Sequence, residues 1–481
     1  MNRIAPVVLA LLLAAASALD TWMPPDTPSV PTVDHDLTSG MLSCPLAVDG
    51  SARAFLHVAN LGDVASQVRV SLIPSRGGTV ELTRTIRPAQ ASRLRLHGRV
   101  DGRASVVIEH AGGELTASHS LWYRSRPSAG LRRVAPPRGA AAAGCVPAGP
   151  AQLALAHLRT DGARARVVLL NPGTADADVT LSLIVGQRTV HPERLERRVV
   201  PARRSIAVDI EDFAFNEPEV TAIVRANAGR VVAEASVVAG SGVTLVGASV
   251  PSDEIIAMSG ASGRGADAGI AATGSDDTGV EASLIGPAEQ GHLGRVPTDL
   301  RPGSGASIRT PLRAGGGPAV YQIRATVGGP LVAGTSWRVT RAGGTERAAD
   351  GHTATALRWI AAVGSIEEAG RVRALIVNPG NEPAAIRIRR LGGDGAEDLT
   401  LEAGRVTGVP LGRGAVDLGV AVEADVPIAV QIEGSAQGGR GGRLTVYGFG
   451  FAAFPVVPPR TAGVAVDPRT GVPARRLQND Q

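Results

Sequence analysis

Val167-Val168-Leu169-Leu170-Asn171-Pro172-Gly173 is an apolar run closed by Asn-Pro-Gly. A run this short reads as a strand buried on both faces or at a sandwich core. The closure ends it, because proline cannot donate to a ladder and glycine supplies the positive φ of a tight turn. The pattern recurs as Ala54-Phe55-Leu56-His57-Val58-Ala59-Asn60-Leu61-Gly62 and as Ala374-Leu375-Ile376-Val377-Asn378-Pro379-Gly380. A degenerate copy stands at Ala282-Ser283-Leu284-Ile285-Gly286-Pro287. Copies roughly 100 residues apart fit a repeat of sandwich size.

A strand of period two follows the copies in repeats one, two and four. It carries Val68, Val70 and Leu72 in repeat one and Val179, Leu181 and Leu183 in repeat two. Repeat four has Ile386 and Ile388, with Arg387 and Arg389 on the other face, the alternation of a sheet with one wet side. A turn segment comes next: Ile86 to Leu96, Val200 to Ile210, Leu300 to Leu312 and Leu401 to Leu411. Last come four expected hairpins. They run from Ser105 to Trp122 around Gly112-Gly113, Thr221 to Val238 around Asn227-Ala228-Gly229, Val320 to Trp337 around Gly328-Gly329, and Gly419 to Ile432 around Asp425.

Six or seven short strands per unit predict an all-β chain of tandem immunoglobulin-like β-sandwich repeats. The competing architecture is a β-propeller with two blades per repeat. The repeats are expected at residues 37–134, 145–257, 268–341 (degenerate) and 353–458. Joins rich in Gly, Ala and Pro at Ala135 to Gly144, Gly260 to Ala268 and Ala342 to His352 predict separate beads. Residues 20–36 read as a linker and 459–481 as a disordered tail.

The apolar run Ile4 to Leu19, led by Arg3 and ending near Ala16-Ser17-Ala18, reads as a signal peptide over residues 1–19, or as an uncleaved N-terminal membrane tether. A secreted or extracytoplasmic location is therefore expected. In an oxidising compartment the two cysteines, Cys44 and Cys145, predict one disulfide. The 49 basic residues are all arginine and the net charge is +5, too small an excess to call for nucleic acid. With aromatics at 3%, the cores must be built from Val, Leu, Ile and Ala.

No Gly-x-Ser-x-Gly, His-Glu-x-x-His or phosphate-loop pattern occurs, so no enzyme, cofactor or metal is expected. Weaker candidates remain. Ser118-His119-Ser120 reads as a surface strand, and Asp34-His35-Asp36 as a polar linker. Asp209, Glu211, Asp212, Asn216, Glu217 and Glu219 are the best group for a hard cation. Arg93, Arg95, Arg99 and Arg103, with Arg197, Arg198, Arg203 and Arg204, form basic patches suited to anionic envelope polymers or to charged sheet edges. Trp122-Tyr123, Trp337 and Trp359 could stack sugars, although Trp122 and Trp337 at equivalent strand ends read better as core plugs.

Together Ser43-Cys44-Pro45, Cys145 before repeat two, the N-terminal export segment and the Asn-Pro-Gly strand ends resemble the DUF5719 family, uncharacterised secreted proteins of high-GC Gram-positive bacteria. The resemblance runs over Leu37 to Pro458, although Met41-Leu42 stands where aromatics are expected. It transfers no activity or site residue. It implies an envelope role beside glycosyltransferases, by association. The function expected is a non-catalytic cell-envelope binding or scaffold protein whose partner is an envelope protein complex or an envelope glycan. The alternative is a carbohydrate-active enzyme or glycan-binding module on envelope polysaccharide.

Overall fold

A computed structural model describes residues 39–123, 139–147, 149, 151–239, 242–259, 263–285, 296–311, 318–339, 345–350, 355–364, 371–391, 396–413, 417–438, 445–452 and 454–455. The expected signal or anchor, the linker with Asp34-His35-Asp36, and the tail lie outside these residues. No helix among the described residues is long and apolar enough to cross a membrane.

Repeat one has eight strands: β1 (Ser39–Val48), β2 (Ala52–Asn60), β3 (Ser66–Pro74), β4 (Val80–Ile86), β5 (Gln90–Arg95), β6 (Ala104–Ala111), β7 (Leu115–Tyr123) and β8 (Gly139–Gly144). They form two antiparallel sheets, ordered β1-β6-β3-β4 and β5-β2-β7-β8. The same order recurs in the other three repeats. Each sheet interleaves strands from both ends of its repeat. A propeller blade is a meander of consecutive strands, so the architecture is the all-β sandwich and not the propeller.

The expected hairpins are not hairpins. β6 pairs with β1 and β3, whereas β7 pairs with β2 and β8. Between them the chain turns at Gly112 and Gly113, both at positive φ, and crosses from one sheet to the other. Gly229 and Gly328 make the same crossing in repeats two and three. In repeat four one strand, Asp417–Gly438, does it without a break. Its first half pairs with Ala356–Gly364 and its second with Arg371–Asn378. A glycine turn between β-branched strands looks alike in sequence whether it closes a hairpin or an arch.

The Asn-Pro-Gly motif works mainly through its asparagine. Asn171, buried at the end of the strand Ala163–Asn171, donates from Nδ2 to the carbonyls of Ala175 (2.7 Å) and Val200 (2.9 Å). Its Oδ1 accepts the amide of Gly173 at 2.9 Å, an Asx turn. Asn60 and Asn378 make the matching three bonds, to Val64, Ile86 and Gly62 and to Glu382, Leu401 and Gly380. The side chain thus ties the strand end to the turn after it and to the end of β4 or its counterpart. Gly62, Gly173 and Gly380 are not at positive φ. A Cβ on Gly62 would sit 2.7 Å from the Glu114 amide, so glycine is needed there for close approach, not for turn handedness.

Repeat three departs from the sequence reading. Ala282 to Ile285 belong to the counterpart of β3, Thr278–Ile285. The counterpart of β2 is Gly263–Ala272, and Ala272 takes the asparagine position: Thr273 bonds Pro330 as Leu61 bonds Glu114. The missing side chain is partly replaced by Thr278, whose Oγ1 reaches the carbonyls of Asp276 and Gly329 at 3.3 Å.

The repeats are not separate beads. The segments read as joins run as strands at Gly139–Gly144, Gly263–Ala272 and Thr345–Asp350. Alanine-rich β8 has little strand propensity, yet β7 offers it an edge and its small side chains allow close packing on both faces. Ala141 and Ala143 lie in the core of repeat one, Ala140 and Ala142 in that of repeat four. Val168, Val243 and Leu245 of repeat two join the core of repeat one. Ile256, Met258, Ile285 and Val320 of repeat three join that of repeat four. The final strand of each repeat packs in series: β8 lies against Gly242–Gly247 and Thr445–Ala452, and Thr345–Asp350 lies against both of those. Residues Thr38–Pro458 make one compact unit.

Candidate functional site

The disulfide joins Cys44 of β1 to Cys145 just after β8. Both are fully buried. Beside them, Ser43 and Val146 exchange backbone hydrogen bonds at 2.7 and 2.9 Å, so covalent and ladder contacts close repeat one at the same place.

His119, expected on a surface strand, is instead 0% exposed. Its Nδ1 lies 3.9 Å from Cys145 Sγ and its Nε2 lies 3.0 Å from Oε1 of Glu234 in repeat two. The other oxygen of Glu234 accepts the Leu46 amide at 3.1 Å. The residues flanking His119 are also used up. Ser118 donates to the Ala362 carbonyl of repeat four at 2.6 Å, and Ser120 Oγ lies 2.9 Å from His57 Nε2. β7 has no wet face because one side packs on its own sandwich and the other on a neighbouring repeat.

His57 is likewise buried. Burial holds its pKa below the ordinary imidazole value, against the opposing pull of Asp417, whose Oδ1 is 3.8 Å from Nδ1. Tyr123 is pushed well above the usual phenol value by burial and by Asp49, to which it donates at 3.2 Å. Arg358 grips Glu114 of repeat one through two bonds of 2.6 Å while its Nε reaches Glu423 at 3.1 Å.

Between repeats two and three, His157 Nε2 lies 2.7 Å from Ser336 Oγ and its Nδ1 lies 3.8 Å from Glu219 Oε1. The order Ser–His–carboxylate is that of a nucleophile relay. Ser336, however, sits mid-strand, paired with Asp267 on one side and Ala348 on the other, so its backbone is taken up by the ladders. His157 adopts a left-handed φ of 59°, and a Cβ at Gly269 would overlap both His157 and Glu219. The group therefore reads as a docking peg seated over glycine. Only the glycines opposite it in the sequence could have signalled this.

The acidic group expected to hold a cation is taken apart. Asp209 pairs with Arg166, Glu211 accepts the Ala165 amide, Glu217 faces Arg188 and Glu219 bonds Ser307. Among the described residues, Cys44, His119 and Cys145 are the grouping with metal-ligand spacing. The basic patches are also partly consumed. Arg93 covers Phe55 and faces Asp417, Arg203 bonds Glu109 at 2.7 Å, and Arg204 reaches the Gly77 carbonyl. Burial alone would raise the Glu109 pKa, but hydrogen bonds from Arg203 and Arg69 outweigh it and hold that carboxyl low. Trp359 is buried and donates to the Ile428 carbonyl at 2.9 Å, and Trp122 packs against the core of repeat four, so neither offers a sugar platform. The side chain of Trp337 lies outside the described residues.

Residues 132–314 match the model of a family of unknown function, DUF5719. The chain resembles that family. The match takes in β8, the whole of repeat two and repeat three as far as the strand Gly305–Pro311, and so includes Cys145 but not Cys44. No curated protein matches the chain. Among solved structures, a crystal structure of Thermotoga maritima 1070 is 19% identical, covering 21% of this chain and 96% of that one, with a TM-score of 0.18. The tetra-tandem repeat in the extending region of a large adhesion protein is 12% identical, covering 87% and 100%, with a TM-score of 0.09.

Proposed function

We propose that the chain is an exported, non-catalytic cell-envelope protein that holds an envelope protein complex together, with a membrane glycosyltransferase as the partner to look for first. The observation that carries this reading is the continuity of the cores. Four sandwiches locked by shared apolar clusters and by buried pairs such as His119–Glu234 keep their outer faces at fixed relative positions. Fixed spacing of several faces suits a scaffold. Export supplies the compartment, and the N-terminal apolar run is its basis. The pairs His119–Glu234, Ser307–Glu219 and Arg358–Glu114 each join one repeat to another, which leaves the loop tips to meet partners. Among the described residues, Phe215, 83% exposed, is the most prominent apolar tip.

The test is twofold. The purified chain lacking residues 1–19 is incubated with envelope extract, and the gene is deleted in its host. Retention of a defined envelope protein together with an altered envelope supports the scaffold. A chain that retains nothing, and whose loss leaves the envelope unchanged, overturns it. Retention of glycan alone moves the reading to a glycan-binding module.

A further inference from the structure

Cys44 Sγ, Cys145 Sγ and His119 Nδ1 all lie within 4.8 Å of one another, and the three residues are fully buried. On the far side of the ring Glu234 faces Nε2 at 3.0 Å, though not in line for a full hydrogen bond. Glu234 is itself held by the Leu46 amide. A carboxylate at Nε2 favours the tautomer with its proton there, which turns the Nδ1 lone pair toward the sulfurs. A disulfide has no proton to offer that lone pair. Two cysteines and a histidine backed by a carboxylate are, in contrast, the donor set and second shell of a zinc site.

We propose that the reduced chain binds one zinc ion through Cys44, Cys145 and His119, with Glu234 orienting the histidine from behind. The reductant is a phosphine: it takes up the oxygen of one water, and the disulfide receives two electrons and two protons to become two thiols. Zn²⁺ then displaces both thiol protons and binds two thiolates and Nδ1, leaving a fourth position for water. The bond lengths needed are about 2.3 Å to sulfur and about 2.0 Å to nitrogen. The two sulfurs must part, a matter of side-chain rotation on backbones whose Cα atoms are 4.7 Å apart. The metal would fasten β1 to the end of β8 where the disulfide does, so repeat one would have a staple in either redox state. This inference is independent of the envelope reading.

The full chain is reduced by phosphine in denaturant and refolded with Co²⁺ as the spectroscopic probe, beside an oxidised control. One equivalent of Co²⁺ with sulfur-to-metal charge-transfer and tetrahedral d–d bands, displaced by Zn²⁺, is expected in the reduced chain only. Glu234→Gln should weaken metal affinity by about 10–100-fold while keeping the bands, and His119→Ala should change their pattern. Absence of thiolate bands in the reduced chain overturns the proposal. So does equal uptake by the oxidised chain, or affinity indifferent to both substitutions. A reduced chain that refolds no better with zinc than without it also overturns the proposal.

Discussion

Replacing Asn171 by alanine removes three hydrogen bonds from one buried point without touching the apolar core. The Val200 carbonyl, bonded at 2.9 Å in a buried setting, loses its side-chain partner and gains no water. An orphaned buried group costs about 1–3 kcal/mol. The Ala175 carbonyl and Gly173 amide are partly buried, and water takes up some of their loss. Counting about 2 kcal/mol for the first and about 0.5 kcal/mol for each of the others gives about 3 kcal/mol. Asn171→Asp should be worse, since a carboxylate still accepts from Gly173 but faces two carbonyls that need a donor. The assay is hydrogen exchange on the full chain at Gly173 and along Ala163–Asn171, with urea unfolding beside it. Protection should fall locally by about two orders of magnitude, 1.4 kcal/mol being tenfold. A loss below about 0.5 kcal/mol, or an Asp variant more stable than Ala, would refute the staple.

Further consequences follow from the interfaces. Glu114 and Arg358 form a bidentate, partly buried pair, so a double-mutant cycle should give a coupling of about 1–2 kcal/mol; additivity within error would place the pair among idle surface contacts. Gly269→Ala should unseat His157 and Glu219 at about 1–3 kcal/mol, the cost of overpacking, seen as faster exchange at the edges of repeats two and three only. Burial lowers the folded pKa of His57, so the unfolded chain binds the extra proton first as pH falls below about 6.5. Stability should therefore drop from that pH downward until the folded pKa is reached, by at most about 1.4 kcal/mol per pH unit; a urea midpoint as steep in His57→Gln would contradict this. Disulfide reduction in a metal-free buffer frees a separation of 101 residues and should destabilise repeat one by up to about 4.7 kcal/mol on the chain-entropy account, read as a lower Tm.

The strand order of each sheet could not be read from sequence, but the strands largely could. Alternation at Val68, Val70 and Leu72 placed the core face of β3 correctly, since all three are fully buried. The apolar runs closed by Asn-Leu-Gly in repeat one and by Asn-Pro-Gly in repeats two and four located β2 and its counterparts there. They failed in repeat three because Ala272 carries no side-chain staple and Ile285-Gly286-Pro287 imitates one. β8 was illegible because GAAAAG owes its strand state to the edge beside it and to four strands meeting, both tertiary facts. The candidate site divides along the same line. Cys44 and Cys145 were legible by count and compartment. Glu234 was not, because a single carboxylate in an apolar strand gives no local sign that a histidine 115 residues earlier (234 − 119) will meet it.

The most direct test of the account is whether the four repeats behave as one body. Differential scanning calorimetry of the oxidised chain lacking residues 1–19 measures it. Shared cores and buried inter-repeat pairs predict one transition, with the calorimetric enthalpy equal to the van't Hoff value. Resolved transitions, or a calorimetric enthalpy several times the van't Hoff value, would mean beads that unfold independently and would remove the basis for a scaffold with fixed faces.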